Sequence, residues 1–153
     1  MRVGVISDTH GLLRPEAVAA LSNVDVILHA GDVGDPAILD RLNALAPTTA
    51  IRGNVDTTGA CADLPPTEMI ELGGKLIYML HAIHDLDIAP AAAGISLVLS
   101  GHSHRPSLEK RSGVLYLNPG SAGPRRFSLP VTLAIVEIGD TIEAQIIELS
   151  NLA

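Results

Sequence analysis

This 153-residue chain predicts an α/β fold, with two stacked sheets and helices outside them. Three observations lead there. In the first third, short β-branched runs alternate with segments of helical apolar spacing, as parallel βαβ units require. Hairpin signals then follow one another through the rest of the chain. The sum is about ten strands and three helices, too many strands for one wide sheet in so short a chain.

The elements follow in order. Residues 2–7 are short and β-branched-rich, so they form a buried strand. Residues 14–22 carry Ala17, Val18 and Leu21 at helical spacing, with Pro15 suited to the first turn. Residues 24–29 are a second strand. Residues 36–45 place Ile38, Leu39, Leu42 and Leu45 on one helical face, and Asp35 is the expected N-cap. Residues 48–52 are a third strand, which completes a β-α-β-α-β order with crossover helices. Beyond Pro65-Pro66 the pattern changes. Residues 67–72 and 75–80 flank Gly73-Gly74 as a hairpin. Residues 86–94 read as a short helix capped by Asp85 or Asp87, and residues 95–100 as another buried strand. Residues 107–110 and 114–118 pair around Ser112-Gly113, and residues 131–138 and 141–149 around Gly139-Asp140. No repeat, low-complexity tract or long linker divides the chain, so residues 1–153 are expected to form one domain.

Composition narrows the function. Hydrophobic residues make up 47% but aromatics only 2%, so the core must be aliphatic. Binding single-stranded nucleic acid by base stacking needs aromatics this chain lacks. A net charge of −7 leaves no basic stripe for a nucleic-acid polymer. The lone Cys61 excludes an internal disulfide and a cysteine-rich zinc site; it reads as a small, semi-buried thiol. No segment approaches the roughly 18–20 apolar residues of a membrane span, and Asp8 interrupts the only N-terminal apolar stretch. A cytoplasmic protein without a membrane partner is the expectation.

Five strand ends carry polar clusters. Asp8-Thr9-His10 follows the first strand, Gly31-Asp32 the second and Gly53-Asn54 the third. His81 follows residues 76–80, and Gly101-His102-Ser103-His104 follows residues 97–99. Ligands in open α/β sheets gather beyond the carboxyl ends of strands, which would bring these tips together. Asp, His and Asn bind hard-to-borderline divalent metals. Seven such side chains exceed the four to six donors one ion usually takes, and suit a pair sharing a carboxylate, the common machinery of phosphoester hydrolysis. In extended backbone, Asp8 and His10, like His102 and His104, would face the same way. Gly31, Gly53 and Gly101 precede proposed ligands, where a small residue allows a sharp turn. Taken singly, each residue has a plainer role. Asp8 and Asp35 fit loop or cap carboxylates, Asn54 a turn, His81 a hydrogen-bonded histidine, and the His102/His104 pair a solvated loop. The coincidence at five strand ends favours one assembled site.

Asp8-x-His10, Gly31-Asp32, Gly53-Asn54-x-Asp56, His81 and Gly101-His102-x-His104 resemble, in order, the motifs of the calcineurin-like metallophosphoesterases. The short length and the segment Asn118-Pro119-Gly120-Ser121 resemble its small YfcE-like phosphodiesterase branch. The resemblance implies a four-layer α-β-β-α sandwich of two mixed sheets, metallo-dependent phosphatase-like. It assigns Asp8, His10 and His104 to one ion, Asn54, His81 and His102 to a second, and Asp32 to both, with the ions roughly 3.5–4 Å apart. The implied ions are divalent, with manganese foremost and nickel, zinc or iron as alternatives. The implied reaction is hydrolysis of a small soluble phosphoester by a hydroxide held between them, with the Asn54 amide reaching a phosphate oxygen. The competing expectation is a scaffold of the same fold with weak or no catalysis, bound to a protein partner as in the retromer relative. Leftover aliphatic surface fits a dimer or tetramer.

The chain departs from the wider family twice. Val55 stands where many members have a His that protonates the leaving group, and Ala82 where Gly is common. Val55 predicts a preference for good leaving groups, and Ala82 a restricted loop beside the second ion. His84 reads either as a replacement acid or as a solvated loop histidine. Arg125 and Arg126 read as phosphate contacts or surface charge, and Asp56 as the partner that orients a ligand His.

Overall fold

The computed structural model describes residues 1–149. Its elements run β1 (Arg2–Ile6), α1 (Pro15–Ala20), β2 (Val26–His29), α2 (Pro36–Asn43), β3 (Thr48–Ala50), α3 (Gly59–Ala62), β4 (Thr67–Leu72), β5 (Lys75–Leu80), a 3-10 turn (Ile83–Asp85), β6 (Ile95–Leu99), β7 (Ser107–Arg111), β8 (Val114–Asn118), β9 (Thr132–Ile138) and β10 (Ile142–Glu148). The strands form two five-stranded sheets, ordered β10-β9-β1-β2-β3 and β4-β5-β6-β8-β7. In the first, β1, β2 and β3 are parallel, while β9 runs antiparallel to β1 and to β10. In the second, β5, β6 and β8 are parallel between antiparallel edge strands. Both sheets are therefore mixed.

Alternation along the central strands sorts their side chains between two buried layers. Val3, Val5, Leu28, Ile77, Met79, Leu97, Leu99, Ala134 and Val136 fill the space between the sheets. Ile6, Ile27, Leu133 and Ile135 face the other way and meet Ala17 and Leu21 of the α1 segment and Ile38 and Leu42 of α2. Gly4 is small for a packing reason: a Cβ there would sit 2.3 Å from Leu21 Cδ2. Helix α2 begins as its sequence dictates, with Pro36 in its first turn and the Ala37 N–H donating to Asp35 Oδ1 at 3.0 Å.

Two local expectations fail. Residues 86–94 form no helix; a 3-10 turn at Ile83–Asp85 and looser turns cover the outer face of the second sheet. Pro90 lacks the N–H a helix interior needs, and Ile88, Ala89 and residues 91–93 are exposed, so no apolar stripe drives a helix. The third helix is instead α3, four residues that bury Cys61 and are too short to carry a periodic signal. Strand β9 begins one residue later than expected, and β10 begins one residue later and ends one earlier; residues 150–153 of the expected domain lie outside the described residues. Among the described residues, no helix is long and apolar enough to cross a membrane.

The intersheet layer sets the stability of this arrangement. Leu97→Ala, at a fully buried position, is expected to cost about 3 kcal/mol, whereas Leu108→Ala on the exposed edge strand should cost under about 0.5 kcal/mol. Urea unfolding of both variants measures the difference.

Candidate metal centre

The loops after β1, β2, β3, β5 and β6 meet at one end of the sandwich, and they carry all seven predicted residues. Asp8 Oδ1 lies 3.4 Å from His104 Nε2, 3.7 Å from His10 Nε2 and 3.8 Å from His81 Nε2. Asp32 Oδ2 lies 3.1 Å from His81 Nε2 and 3.5 Å from His10 Nε2. His10 and His104 bring their Nε2 atoms within 3.2 Å of each other. His102 Nδ1 is 3.3 Å from Asn54 Oδ1, and its ring meets that of His81 edge-on at 5.3 Å between centroids.

Backbone strain makes this convergence. Asp8, His10, Asp32, His102 and His104 all have left-handed φ, between 46° and 71°. Non-glycine residues rarely adopt it, and such residues gather at functional sites. The paired side chains therefore converge through tight turns and not, as the i, i+2 spacing predicts, through extended backbone. Two of the glycines also act differently from expectation. Gly53 and Gly101 provide space: a Cβ on the first would lie 2.1 Å from Asp32 Oδ1, and on the second 2.1 Å from Ser7 Oγ and 2.6 Å from Asp8 Oδ2.

Each donor is aimed by a partner. The Ser7 hydroxyl and the His102 N–H donate to Asp8 Oδ2 at 2.7 and 3.1 Å, which leaves Oδ1 for the centre. The Val55 N–H donates to Asp32 Oδ1 at 2.9 Å. His81 Nδ1 donates to the Ala30 carbonyl at 2.7 Å, so Nε2 points inward. The predicted Asn118-Pro119-Gly120-Ser121 loop does border the site. Asn118 Nδ2 donates to the Gly101 carbonyl at 2.9 Å and Ser121 Oγ to the Asp8 carbonyl at 2.9 Å. Asp56 does not orient a histidine. Its carboxylate accepts the N–H groups of Val33, Gly34 and Gly53, and so ties the loop after β2 to the loop after β3.

The electrostatics call for cations. Asp8 Oδ1 and His81 Nε2 are buried without a hydrogen-bond partner, an arrangement costing about 1–3 kcal/mol per group. His10 and His104 bring their Nε2 atoms to hydrogen-bond distance, 3.2 Å, so that in the absence of an ion one ring donates to the other, and both lone pairs become available to a metal when that proton leaves. Burial pushes the Asp32 carboxyl up, but the His81 imidazole and the Val55 N–H outweigh it and hold it at about 2. Burial opposes protonation of His81, yet Asp32 and the Ala30 carbonyl raise its pKa, which shows the same demand for positive charge. His104 moves down through burial, with the charges of Arg126 and His10 acting in the same direction. Asp8, His10 and His104, and likewise Asp8, Asp32 and His81, place donor atoms within 4.8 Å of one another and so could each hold an ion. The oxygen and imidazole donors fit divalent metals of intermediate hardness.

His29 went unremarked in the sequence, where it reads as the last residue of a strand. It is fully buried below the centre. The Gly31 N–H donates to its Nδ1 at 3.1 Å, and its Nε2 meets Thr9 Oγ1 at 3.0 Å. The Thr9 hydroxyl already donates to the Val33 carbonyl, so His29 donates to Thr9 and is the neutral Nε2–H tautomer. Cys61 is buried more completely than expected, and burial with nearby Asp56 and Asp35 raises its thiol pKa, leaving it inert. Ala82 adopts φ −113° and ψ 122°, which its methyl tolerates without strain, and it lines the cleft beside His81. His84 is 70% exposed beside Asp85, with its ring 5.8 Å from that of His102. A cleft of about 490 Å³ opens beside Asn54, His81 and His102, with Arg52, Tyr78 and His84 among its walls.

Residues 1–141 match the calcineurin-like phosphoesterase superfamily domain. The chain belongs to that superfamily. A probable metallophosphoesterase of Methanocaldococcus jannaschii is 35% identical over 164 residues, covering 99% of this chain and 83% of that protein. Among solved structures, a novel archaeal phosphodiesterase superposes with a TM-score of 0.82 at 24% identity, covering 97% of this chain and 99% of that one. Vps29 of Chaetomium thermophilum superposes at 0.79 with 15% identity, covering 96% and 95%. The two structural likenesses show the shared fold. Membership in the superfamily makes this chain a metal-dependent phosphoester hydrolase.

The neutral His29 makes stability pH-dependent. Burial lowers its pKa from 6.5 to about 4, so on acidification the unfolded chain takes up this proton first. The contribution is complete above pH 6.5 and declines toward pH 4, by about 3 kcal/mol. In chelator-treated protein, His29→Asn should flatten that part of the urea-unfolding stability profile. An unchanged profile would show that His29 carries no such penalty.

Proposed function

We propose that this protein is a phosphodiesterase that uses two divalent ions to hydrolyse a small soluble phosphoester. The observation that carries the reading is the pair of buried, unpartnered atoms, Asp8 Oδ1 and His81 Nε2, at the centre of a seven-donor cluster. Asp8, His10 and His104 would hold one ion, and Asn54, His81 and His102 the other. Asp32, whose Oδ2 approaches both His10 and His81, would serve both. Manganese is the first choice, with nickel, zinc and iron as alternatives, because this mixed donor set discriminates weakly. Bound ions would supply Lewis acidity toward phosphoryl oxygens and a more acidic water.

The chain's own groups do the rest. Asn54 directs Oδ1 toward His102 and can offer its Nδ2–H to a phosphate oxygen at the cleft wall. The Val55 side chain cannot protonate a leaving alcohol, but its N–H fixes Asp32. The reaction therefore depends on a leaving group stable as an anion, and activated esters should exceed alkyl phosphates. The fold shared with Vps29 supports the scaffold alternative to that extent; retention of all seven donors favours the enzyme, because a scaffold is free to lose them.

Chelator-stripped protein, reloaded with each metal in turn, should hydrolyse bis(p-nitrophenyl) phosphate in preference to p-nitrophenyl phosphate. Asp32→Ala should lower the diester rate by at least about 100-fold. Two bound ions with no turnover of either ester would remove the enzymatic reading and favour the scaffold.

A further inference from the structure

We propose that the substrate is a diester with two arms, and that an uncharged, ring-sized arm lies in a second recess on the far side of His102. This rests on the phosphodiesterase reading above. The second recess holds about 190 Å³ and shares only His84 and His102 with the larger cleft. The two cavities thus meet at the ring whose Nδ1 lies 3.3 Å from Asn54 Oδ1. A monoester has one arm and needs one of them; a diester has two.

Size and chemistry define the second arm. Whole-ligand pockets span roughly 300–1,000 Å³. The main cleft, at about 490 Å³, falls in that range, and the recess, at about 190 Å³, falls below it, so it suits part of a ligand. Its wall is a built platform on the β7–β8 hairpin, where Glu109 lies directly across from Tyr116. The Arg111 guanidinium lies 5.1 Å above the Tyr116 ring, and its Nη2 is 2.8 Å from Glu109 Oε2. The carboxylate and the ring together hold the guanidinium in place. The charges of Arg111 and Glu109 cancel, so a second phosphate would find no net attraction. A flat, uncharged ring would stack on the guanidinium, and Ser103 and Ser107 add hydroxyls for a polar substituent. A nucleoside base, a sugar or an aryl group shares this chemistry.

The test pairs turnover with binding. The turnover readout is the ratio of kcat/KM for bis(p-nitrophenyl) phosphate to that for p-nitrophenyl phosphate. The binding readout is calorimetric, comparing the affinities of manganese-loaded protein for diphenylphosphinate, which has two aryl arms and is not hydrolysed, and for methyl(phenyl)phosphinate, which has one. Arg111→Ala, on an exposed strand that should tolerate it, is expected to lower both ratios about fivefold, and Tyr116→Ala similarly. Arg111→Lys should not restore them, because an ammonium has no plane to stack. Active wild-type protein whose ratios stay within about 1.5-fold in both alanine variants would overturn the recess while sparing the phosphodiesterase. Wild-type protein that hydrolyses neither ester would overturn the phosphodiesterase. The phosphinate titrations would then judge the recess alone: equal affinity for both probes, or a two-arm preference that survives both substitutions, would reject it.

Discussion

The arrangement depends on one constraint: two buried carboxylates, four imidazoles and one amide must face one another at the ends of five strands. Without compensating charge this packing is unfavourable. Asp8 Oδ1 is buried without a hydrogen-bond partner, and His81 Nε2 has only the Asp32 carboxylate, 3.1 Å away, to answer it. Five of the donor residues also sit in left-handed backbone, at a cost of order 1–3 kcal/mol each. The surroundings must therefore hold these loops shut. Asp56 gathers three backbone N–H groups from two loops. Asn118, at the end of β8, and Ser121, in the loop that follows it, clamp the turns at Gly101 and Asp8. Neutral His29 supports the floor from below. Removing such supports would leave the donors present but misaimed.

The sandwich supplies the rigidity for this. Parallel strands β1, β2, β3, β5 and β6 all end at the same edge, so their loops meet without long excursions. Filling between the sheets is entirely aliphatic apart from Met79, which suits interdigitation across two mixed sheets. Glycines at 53 and 101 then let the second rank of loops press directly against Asp32 and Asp8. Packing and catalysis meet at these two positions, since an added methyl would displace carboxylate oxygens before it disturbed the core.

The sequence makes the strands, the hairpins and the seven donors legible because each leaves a local trace: an apolar run, a Gly-containing turn, or a metal-type residue at the run's end. The geometry that joins them leaves no such trace. Asp and His tolerate left-handed φ better than most non-glycine residues but do not require it, so at Asp8 and His104 it is tertiary contact that selects it. The roles of His29 and Asp56 are illegible for the same reason: their partners are backbone N–H groups and a hydroxyl 2 to 23 residues away, and these partners have no sequence signature. Residues 86–94 mislead in the opposite sense. Alanine propensity suggests a helix there, but Pro90 and the lack of a buried stripe decide otherwise.

Charge gives the last step. A chain of net charge −7 is a poor host for a phosphate, and Asp85 and Asp87 stand on the wall of the main cleft. Metal ligation takes carboxylates ionised and imidazoles neutral, so a donor set with two carboxylates would bring two negative charges to the ions. Two divalent cations would reverse that sign at the one place where the phosphoryl group must sit. The surrounding acidic surface would still repel polyanions. On the proposed reading, selectivity for a small, singly charged ester would follow from electrostatics without any base-reading element. It agrees with a second recess in which Arg111 is neutralised by Glu109 and offers no free positive charge to a second phosphate.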